Sequence, residues 1–377
     1  MRYKFKYKPY EHQLEALKRS WNKKEFAYFM DMGTGKSKVL IDNMCVLYDR
    51  GEITGALIVA PKGVYRNWEQ GELPTHIPEH VMYDTVLWNP SQTKTQLEKQ
   101  NKLYVVDDNL KIFVMNVEAF STKKGCEAAE RFLNAHPSLM VIDESTTIKN
   151  KDAKRTKSIV KIGKVAQYRR ILTGSPVTKS PMDLFSQCSF LAPTALGYNS
   201  YFAFQNRYAV VRQQKMGHRS FQEIVGYRRL DELNERLTGF STRILKSECL
   251  DLPEKLYTKR YVPLTAEQGK LYNQMKDMSL AQLDNGELAT TTGVLTQIMR
   301  LQQICCGHFT PDIGETGSLD SNRLDELMGI TEELQGKCII WASYTHDIQR
   351  IHSDYIFFSF SYARYVFNSF HCIDNII

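Results

Sequence analysis

A glycine-rich turn and a pair of adjacent carboxylates carry the side chains of this sequence that are best suited to chemistry. The turn reads Asp31-Met-Gly-Thr-Gly-Lys-Ser37, and the carboxylates lie in Val141-Ile-Asp-Glu-Ser145, about a hundred residues later. Phosphate groups bind where backbone N–H groups are free at a helix N-terminus, and glycine lets the backbone approach them closely. Together the two segments predict a site that binds and hydrolyses a nucleoside triphosphate.

Each polar side chain of these segments has a distinct expected role. Lys36 would reach the β- and γ-phosphates, and the Ser37 hydroxyl would bind Mg²⁺. Asp143 would complete the metal shell, while Glu144 would orient the attacking water. Lys36, Asp143 and Glu144 are therefore the predicted catalytic residues, and Ser37 and Asp143 are the predicted metal ligands. The predicted ATP-binding loop comprises Gly33, Thr34, Gly35, Lys36 and Ser37.

Each segment also has a simpler interpretation. Met30 stands where the strict phosphate-loop pattern requires its first glycine, so the turn could be an ordinary strand-to-helix connection. Adjacent Asp and Glu after a strand often cap the next helix. The flanking residues favour the phosphate loop, because Glu25–Met30 has the apolar pattern of a buried strand and residues 38–47 have helical spacing.

Length and composition indicate a globular protein without a dominant charge. The 377 residues are enough for two domains, with room for an inserted third. The net charge of +7, from 49 basic and 42 acidic residues, permits a polyanionic partner without requiring one. Eight scattered cysteines, with no C-x-x-C, favour reduced thiols in a cytosolic protein. The N-terminus lacks a signal-peptide pattern, and no charge-free stretch is long enough to span a bilayer.

Short apolar runs alternate with helical patterns up to about residue 190. Strands are predicted at 56–60, 111–115, 139–142 and 170–172, and helices at 117–133 and 151–167. Continuous apolar strands between helices indicate a doubly wound α/β fold whose parallel sheet is covered on both faces. Ligands of such sheets bind at the carboxyl ends of the strands. Gly33, Pro61, Asp143 and Thr173 each follow such an end, so we expect them to converge on one edge.

The pattern changes after residue 193. Helices are predicted at 230–237, 267–283 and 295–304, so residues 194–310 are interpreted as a helical insertion and linker. A strand at 336–341 and a helix at 345–352 indicate the start of a second α/β lobe, which gives domains 1–193, 194–310 and 311–377. Residues 353–377 are rich in Phe and Tyr and contain no Gly, Pro or Lys. A buried strand pair would explain this tail, as would a reading-frame slip or a truncated gene.

The ordered motifs of residues 9–352 resemble those of Swi/Snf-type DNA translocases, a branch of the superfamily-two helicases. The resemblance implies a RecA-like fold for the ATP-binding lobe. The glycine-rich turn has the form that this family uses, which relaxes the first glycine. The matching segments besides the turn are residues 9–14, 57–61, 66–69, 143–150, 172–176, 181–191, 243–246, 252–255 and 299–305.

The resemblance also implies further residue roles. Gln13 would read the adenine of ATP. Lys62 and Arg66, in the motif that lies along the DNA path, would bind DNA. Thr146 stands where the family commonly has His, which bears on coupling through that side chain. The segment that links hydrolysis to movement would comprise Thr173, Gly174 and Ser175.

Two basic stretches could contact nucleic acid. Lysines at 151, 154, 161 and 164 would line one face of the predicted helix, and Lys151 and Lys154 are the predicted DNA contacts. Basic and aromatic residues are interleaved between 207 and 229, a composition that suits contacts with backbone and bases. A solvated helix face and a solvated loop are the simpler interpretations. Basic and aromatic residues also alternate over 2–8, which is the period of a half-buried strand.

The implied function is an ATP-dependent DNA translocase that uses ATP and Mg²⁺ and binds duplex or single-stranded DNA. The alternative is a truncated, catalytically poor protein that binds ATP and DNA. It arises because two later family motifs, one with arginines that reach the γ-phosphate, do not occur in this sequence. The expected location is the cytoplasm of a bacterial or phage-infected cell, or the nucleus of a eukaryote. No membrane association is predicted, and the sequence indicates no protein partner.

Overall fold

The structure, a computed structural model, describes residues 3–91, 93–216, 219–284, 291–310, 316–334, 336 and 338–358. The chain divides into two units, Met1–Pro253 and Glu254–Ile377. The first unit contains both the glycine-rich turn and the paired carboxylates. The boundary between the units falls inside the segment that the sequence pattern assigned to a helical insertion and linker.

The first unit is built on a parallel β-sheet. The described strands of this unit are β1 (Glu25–Met30), β2 (Gly55–Ala60), β3 (Tyr83–Leu87), β4 (Leu110–Asn116), β5 (Ser138–Asp143), β6 (Tyr168–Thr173), β7 (Ala209–Met216), β8 (Arg219–Tyr227) and β9 (Ser241–Ile244). Seven of them form the sheet in the order β3-β4-β2-β5-β6-β1-β9, and each neighbouring pair is parallel. The other two, β7 and β8, form an antiparallel hairpin.

Helices connect and cover these strands. They are α1 (Glu11–Ser20), α2 (Lys36–Asp49), α3 (Tyr65–Asn67), α4 (Leu73–His76), α5 (Lys94–Asn101), α6 (Lys123–Ala135), α7 (Lys154–Ile162), α8 (Leu184–Leu191), α9 (Tyr201–Tyr208), α10 (Leu230–Thr238) and α11 (Lys246–Cys249). A π-helical turn, Trp68–Glu72, joins α3 to α4. Short 3₁₀ turns lie at Lys102–Tyr104, Val117–Ser121, Ser145–Ile148, Gly163–Val165 and Pro181–Asp183.

Alternate residues of the central strands face two separate hydrophobic layers. In β1, Ala27 and Phe29 pack into one layer, while Phe26, Tyr28 and Met30 pack into the other. A strand buried on both faces reads as a continuous apolar run, which is why these strands were visible in the sequence. The prediction of a doubly wound parallel sheet covered on both faces is confirmed.

Several local predictions for the first unit are wrong or incomplete. Residues 3–8 do not form a strand; Tyr3 and Phe5 instead pack on the core, with ring centroids 4.8 Å apart. The predicted helix 117–133 is broken at Thr122, whose hydroxyl caps α6 by accepting a hydrogen bond from the Gly125 N–H. Edge strand β3, hairpin strands β7 and β8, and β9 were not predicted, because their patterns are short or polar.

The second unit is mainly helical over its described residues. Its helices are α12 (Ala266–Asp284), α13 (Thr291–Cys306), α14 (Arg323–Glu333) and α15 (Thr345–Phe358), and its strand pair is β10 (His308–Phe309) with β11 (Gly317–Ser318). The predicted helices at 267–283, 295–304 and 345–352 lie within α12, α13 and α15 and are confirmed. Residues 359–377, most of the aromatic tail, lie outside the described residues.

The strand predicted at 336–341 is wrong. Residues 338–342 have no regular secondary structure, and Ile339 and Trp341 are 79% and 82% exposed. A strand needs a neighbour for its backbone hydrogen bonds and a layer that covers its apolar side chains. Among the described residues of this unit, neither is supplied to this segment, so its apolar sequence alone does not make it a strand.

Candidate nucleotide-binding site

The glycine-rich turn connects the carboxyl end of β1 to the first residue of α2. Gly33 and Gly35 have φ angles of +83° and +86°, which lie in a left-handed region of backbone conformation that residues other than glycine rarely adopt. Gly35 is the N-cap residue of α2, so Lys36 and Ser37 are the first two residues of that helix. The first backbone N–H groups of a helix have no partner within it and favour anions. The turn therefore has the geometry that phosphate binding requires.

Gln13 of α1 contacts the glycine-rich turn through hydrogen bonds. Its side-chain amide N–H donates to the Thr34 carbonyl over 3.1 Å, and its carbonyl oxygen accepts from the Tyr10 N–H over 3.1 Å. The Thr34 hydroxyl donates to the Asp31 carbonyl over 2.7 Å, which closes the turn. A Cβ on Gly35 would collide with the amide nitrogen of Gln13. Gln13 therefore touches the turn directly, and its expected contact with adenine stays a prediction.

Asp143 lies at the carboxyl end of β5 with one donor at each carboxylate oxygen. Its Oδ2 accepts from the indole N–H of Trp68 over 3.0 Å, and its Oδ1 accepts from the Glu144 N–H over 3.0 Å. Burial raises the pKa of Asp143 to about 6; the Trp68 hydrogen bond and the Lys36 ammonium group oppose this shift, and the Glu144 charge adds to it. The influence of Lys36 on this pKa brings the two predicted catalytic segments into one site.

Glu144 follows with a strained backbone. Its φ and ψ angles of 48° and 63° are left-handed, a conformation that costs energy for a residue other than glycine. Its carboxylate accepts a hydrogen bond from the Thr173 hydroxyl over 3.3 Å, and the same hydroxyl accepts from the Ser175 N–H over 3.2 Å. Strain of this kind is commonly found at functional sites.

The Thr173–Ser175 segment also lies against the glycine-rich turn. A Cβ placed on Gly174 would be 3.4 Å from the Asp31 Cα and from the Met30 carbonyl oxygen. A side chain at position 174 would therefore be in van der Waals contact with the turn. The segment contacts the turn on one side and the carboxylate of Glu144 on the other, so the predicted turn, carboxylates and coupling residues meet at one edge of the sheet.

Two buried side chains at this edge were not predicted as site residues. Trp68 is 1% exposed, although the sequence resemblance placed its motif along the DNA path. Gln187 of α8 is fully buried; it accepts from the Ser145 hydroxyl over 2.7 Å and donates to the Pro176 carbonyl over 2.8 Å. Gln187 thus joins the carboxylate segment to the coupling segment. Their place inside matched motifs was the only signal in the sequence for either residue.

The predicted DNA contacts lie in different surroundings. Lys62 and Arg66 follow β2 and are exposed. Lys151 precedes α7, forms a 2.6 Å salt bridge with Asp152 and lies 4.7 Å from the ring centre of Tyr201. Lys154 is the exposed first residue of α7.

The prediction that four lysines line one face of a single helix is wrong. Helix α7 spans only Lys154–Ile162, so Lys151 and Lys164 lie outside it.

Part of the second basic stretch has structural partners. Arg207 forms a salt bridge with Glu232 at 2.5 Å, and the Arg228 guanidinium donates to the Asn206 carbonyl over 2.6 Å. Side chains engaged in this way are less free to contact a polyanion. The remaining basic residues lie on or near the β7–β8 hairpin, where positions 217 and 218 are outside the described residues.

The oxygen donors of this site fit a magnesium ion. Mg²⁺ prefers a few hard oxygen ligands and is usually held by one or two carboxylates together with phosphate oxygens. Asp143 supplies a half-buried carboxylate, and Ser37 supplies a hydroxyl at the start of α2. Each Asp143 oxygen accepts one protein hydrogen bond and retains lone-pair capacity for a cation.

Comparison with known families places this geometry in context. The family model described as SNF2-related domain matches residues 17–310, which is most of the chain. The chain therefore belongs to the SNF2-related family, and the Swi/Snf-type resemblance of its motifs is confirmed.

Individual relatives share about a quarter of their residues with this chain over the matched region. An uncharacterized ATP-dependent helicase of Mycoplasma genitalium is 26% identical over 277 residues, which are 73% of this chain and 24% of the relative. The chromatin-remodeling ATPase INO80 of Candida albicans is 23% identical over 77% of this chain and 20% of its own length. The helicase-like transcription factor of Mus musculus is 28% identical over 74% and 27%. The chain spans about a quarter of the length of these relatives.

A solved structure shares the fold. The Sulfolobus solfataricus SWI2/SNF2 ATPase core in complex with dsDNA matches with a TM-score of 0.50 and 22% identity, over 88% of this chain and 65% of that chain. This similarity confirms the predicted RecA-like α/β class. None of the described helices is long and apolar enough to cross a membrane.

Proposed function

We propose that this chain is an ATP-dependent DNA translocase of the SNF2-related family, with the ATP site at the carboxyl edge of its sheet. The observation that carries the proposal is the meeting of three segments at that edge. The glycine-rich turn, the Asp143–Glu144 pair and the Thr173–Ser175 segment come from three strands, and each touches or electrostatically influences another. Membership of a family whose relatives include ATP-dependent helicases supports the assignment.

In this proposal the turn binds the triphosphate and α2 orients it. Gly33, Thr34 and Gly35 provide the backbone, Lys36 contacts the β- and γ-phosphates, and Gln13 contacts the adenine. Ser37 and Asp143 hold Mg²⁺, which offsets phosphate charge when it is bound. Glu144 orients the attacking water, and its strained backbone fixes the direction of that carboxylate.

The coupling role of residues 173–175 rests on their contacts. The Thr173 hydroxyl is hydrogen-bonded to the Glu144 carboxylate, and Gly174 lies close to the Asp31 backbone. A change in the Glu144 environment on hydrolysis would therefore reach Thr173 and Ser175 through one hydrogen-bonded hydroxyl. This short path supports the proposal that the segment links hydrolysis to movement.

The proposed polyanion is DNA. Lys62, Arg66 and Lys154 are exposed, and such side chains can contact phosphates without losing a structural partner. Lys151 would have to exchange its Asp152 partner for a phosphate. The complex of the Sulfolobus ATPase core with dsDNA supports duplex DNA as the substrate class.

A second proposal concerns the rate of turnover. An arginine that meets the γ-phosphate is worth about 10³–10⁵ in rate. The described arginines of the second unit are each engaged within that unit, through Glu326 and Glu333 for Arg260, Thr310 for Arg300, Cys306 for Arg323 and Leu319 for Arg350. We infer that the chain, with these arginines engaged, binds ATP but hydrolyses it slowly.

Two measurements test these proposals. Equilibrium binding of a fluorescent ATP analogue should be lost in Lys36→Ala, while the thermal unfolding temperature of the protein is unchanged. Equal affinity in variant and parent would contradict the nucleotide site.

Steady-state hydrolysis with and without duplex DNA tests turnover. A DNA-stimulated rate in the typical enzyme range of about 1–10³ s⁻¹ would contradict slow hydrolysis.

A further inference from the structure

Trp68 makes a contact that its position in the sequence does not explain. Its side chain is 1% exposed, and its only polar atom donates to Asp143 Oδ2 over 3.0 Å. The two residues are 75 positions apart in the sequence. Packing alone would be served by any large apolar ring, whereas the indole N–H is directed at the carboxylate that is proposed to bind Mg²⁺.

The contact controls a carboxylate with little other support. Among the described residues, the hydrogen bonds to Asp143 are one from Trp68 at Oδ2 and one from the Glu144 N–H at Oδ1. The Glu144 bond comes from the adjacent peptide and holds only one of the two carboxylate oxygens. The Trp68 bond comes from a different element, so it fixes the plane of the carboxylate and leaves the remaining lone pairs for a cation.

The place of Trp68 in the chain gives this contact a second consequence. Trp68 begins the π-helical turn Trp68–Glu72 and directly follows α3 (Tyr65–Asn67), which carries the exposed Arg66. One residue, Asn67, therefore separates an exposed guanidinium from an indole that donates to the half-buried Asp143 carboxylate. A backbone shift of this segment when Arg66 contacts a phosphate would therefore also move the base of the Trp68 side chain.

We propose that Trp68 is a positioning residue that orients Asp143 for the magnesium–nucleotide complex and connects it to the Lys62–Arg66 segment. The proposal rests on the nucleotide site described above. Residues that orient a metal ligand typically change metal affinity or activity by about 10–100-fold when they are removed. A residue with a purely structural role would instead affect folding and all ligands alike.

The test compares nucleotide affinity with and without Mg²⁺ in the full chain. Trp68→Phe removes the N–H and keeps an aromatic ring. A fluorescent ATP analogue should bind this variant as well as the parent in EDTA, but should gain about 10–100-fold less affinity when Mg²⁺ is added. The matched control is Trp88→Phe, because Trp88 is also buried in the first unit and packs against Phe113. Trp88→Phe should keep the full Mg²⁺ gain.

Coupling to Asp143 is tested by combining substitutions. Asp143→Ala alone should reduce the Mg²⁺ gain and leave the part that Ser37 and the phosphates supply, and adding Trp68→Phe to it should cause no further loss, because the indole then has no carboxylate to orient. Additive losses would contradict the proposal.

A second substitution covers the case in which Trp68→Phe fails to fold. Benzothienylalanine placed at position 68 alone keeps the bicyclic shape and replaces N–H by sulfur. An undiminished Mg²⁺ gain in that protein would also contradict it.

The link to the Lys62–Arg66 segment has a separate readout. Saturating duplex DNA should change the Mg²⁺-dependent nucleotide affinity of the parent and should change that of Trp68→Phe less. The same DNA effect in both proteins would contradict the connection.

Failure of the nucleotide site and failure of the Trp68 role give different results. If Lys36→Ala keeps nucleotide binding, the site itself is wrong. If Lys36→Ala loses nucleotide binding but Trp68→Phe keeps the Mg²⁺ gain of the parent, only the role of Trp68 is wrong.

Discussion

At the amino edge of the first unit's sheet, buried cations are surrounded by protein groups, whereas at the carboxyl edge the charged groups have few partners. Arg170, near the start of β6, is fully buried, and Lys111, near the start of β4, contacts Asp84 and Asp107 at 2.6 and 2.7 Å. The Arg170 guanidinium donates to the side chain of Asn43 and to the carbonyls of Ser20, Lys23, Lys24 and Arg169.

The carboxyl edge is different. Among the described residues, Asp143 has one hydrogen-bond donor at each oxygen, and the Glu144 carboxylate accepts from Thr173 at the long distance of 3.3 Å. The Lys36 ammonium group forms no salt bridge with any described carboxylate. Fully paired charges stabilise the folded chain, while sparsely paired charges are available to a ligand. The charged groups at the amino edge therefore have structural partners within the protein, whereas those at the carboxyl edge are available to bind the nucleotide.

The largest expected effect at the carboxyl edge is on catalysis. Glu144→Gln keeps the shape of the side chain and its bond from Thr173, but removes the group that orients water. We expect ATP affinity to be unchanged and the rate of hydrolysis to fall by about 10²–10⁴-fold. Single-turnover hydrolysis with protein in excess measures this rate even when the parent is slow, and a parent-like rate would remove Glu144 from the mechanism.

The amino edge should respond in stability. Arg170→Met deletes a buried cation and leaves several carbonyl groups without donors, so the free energy of unfolding should fall by about 3–5 kcal/mol. Urea denaturation measures the loss. Arg131→Met is the control, because Arg131 is an exposed arginine of α6 that stacks on Tyr104 at 4.2 Å. A similar loss in both variants would erase the difference between the edges.

The strain at Glu144 predicts a smaller effect of opposite sign. Asparagine tolerates the left-handed backbone better than glutamate, so Glu144→Asn should raise the free energy of unfolding by about 0.5–1 kcal/mol while it removes the catalytic carboxylate. Glu127→Asn, in the regular helix α6, should give no gain. If Glu144→Asn instead lowers the free energy of unfolding, the left-handed conformation of Glu144 does not reduce the stability of the folded protein.

The exposed basic residues should have the smallest individual effects. Each phosphate contact contributes about 0.9 to the slope of log affinity against log salt concentration. Alanine at Lys62, Arg66 or Lys154 should therefore flatten the slope by about one per residue, as measured by duplex-DNA binding across a salt series. Lys123→Ala on α6 should leave it unchanged, since its side chain is 89% exposed and lies outside the matched motifs. An unchanged slope in all four variants would assign these residues to solvent.

The sequence by itself determined the centre of the sheet and the glycine-rich turn. Strands β1, β2, β4, β5 and β6 are continuous apolar runs because both of their faces are buried, and that signal is local. The spacing of Gly33, Gly35, Lys36 and Ser37 likewise lies within one turn and the start of one helix. Since parallel strands end at a common edge, the sequence also predicted that Asp143 and Thr173 would meet the turn.

Only the tertiary structure decided the partners of these residues. The Trp68 indole reaches Asp143, Gln187 joins Ser145 to Pro176, and β9 adds to the sheet beside β1, all through contacts between distant parts of the chain. The segment at 338–342 shows the reverse, because its apolar residues lack a neighbouring strand among the described residues and form none. Hydrophobic pattern and turn chemistry are local properties, whereas a hydrogen-bond partner or a sheet neighbour exists only after distant segments have packed.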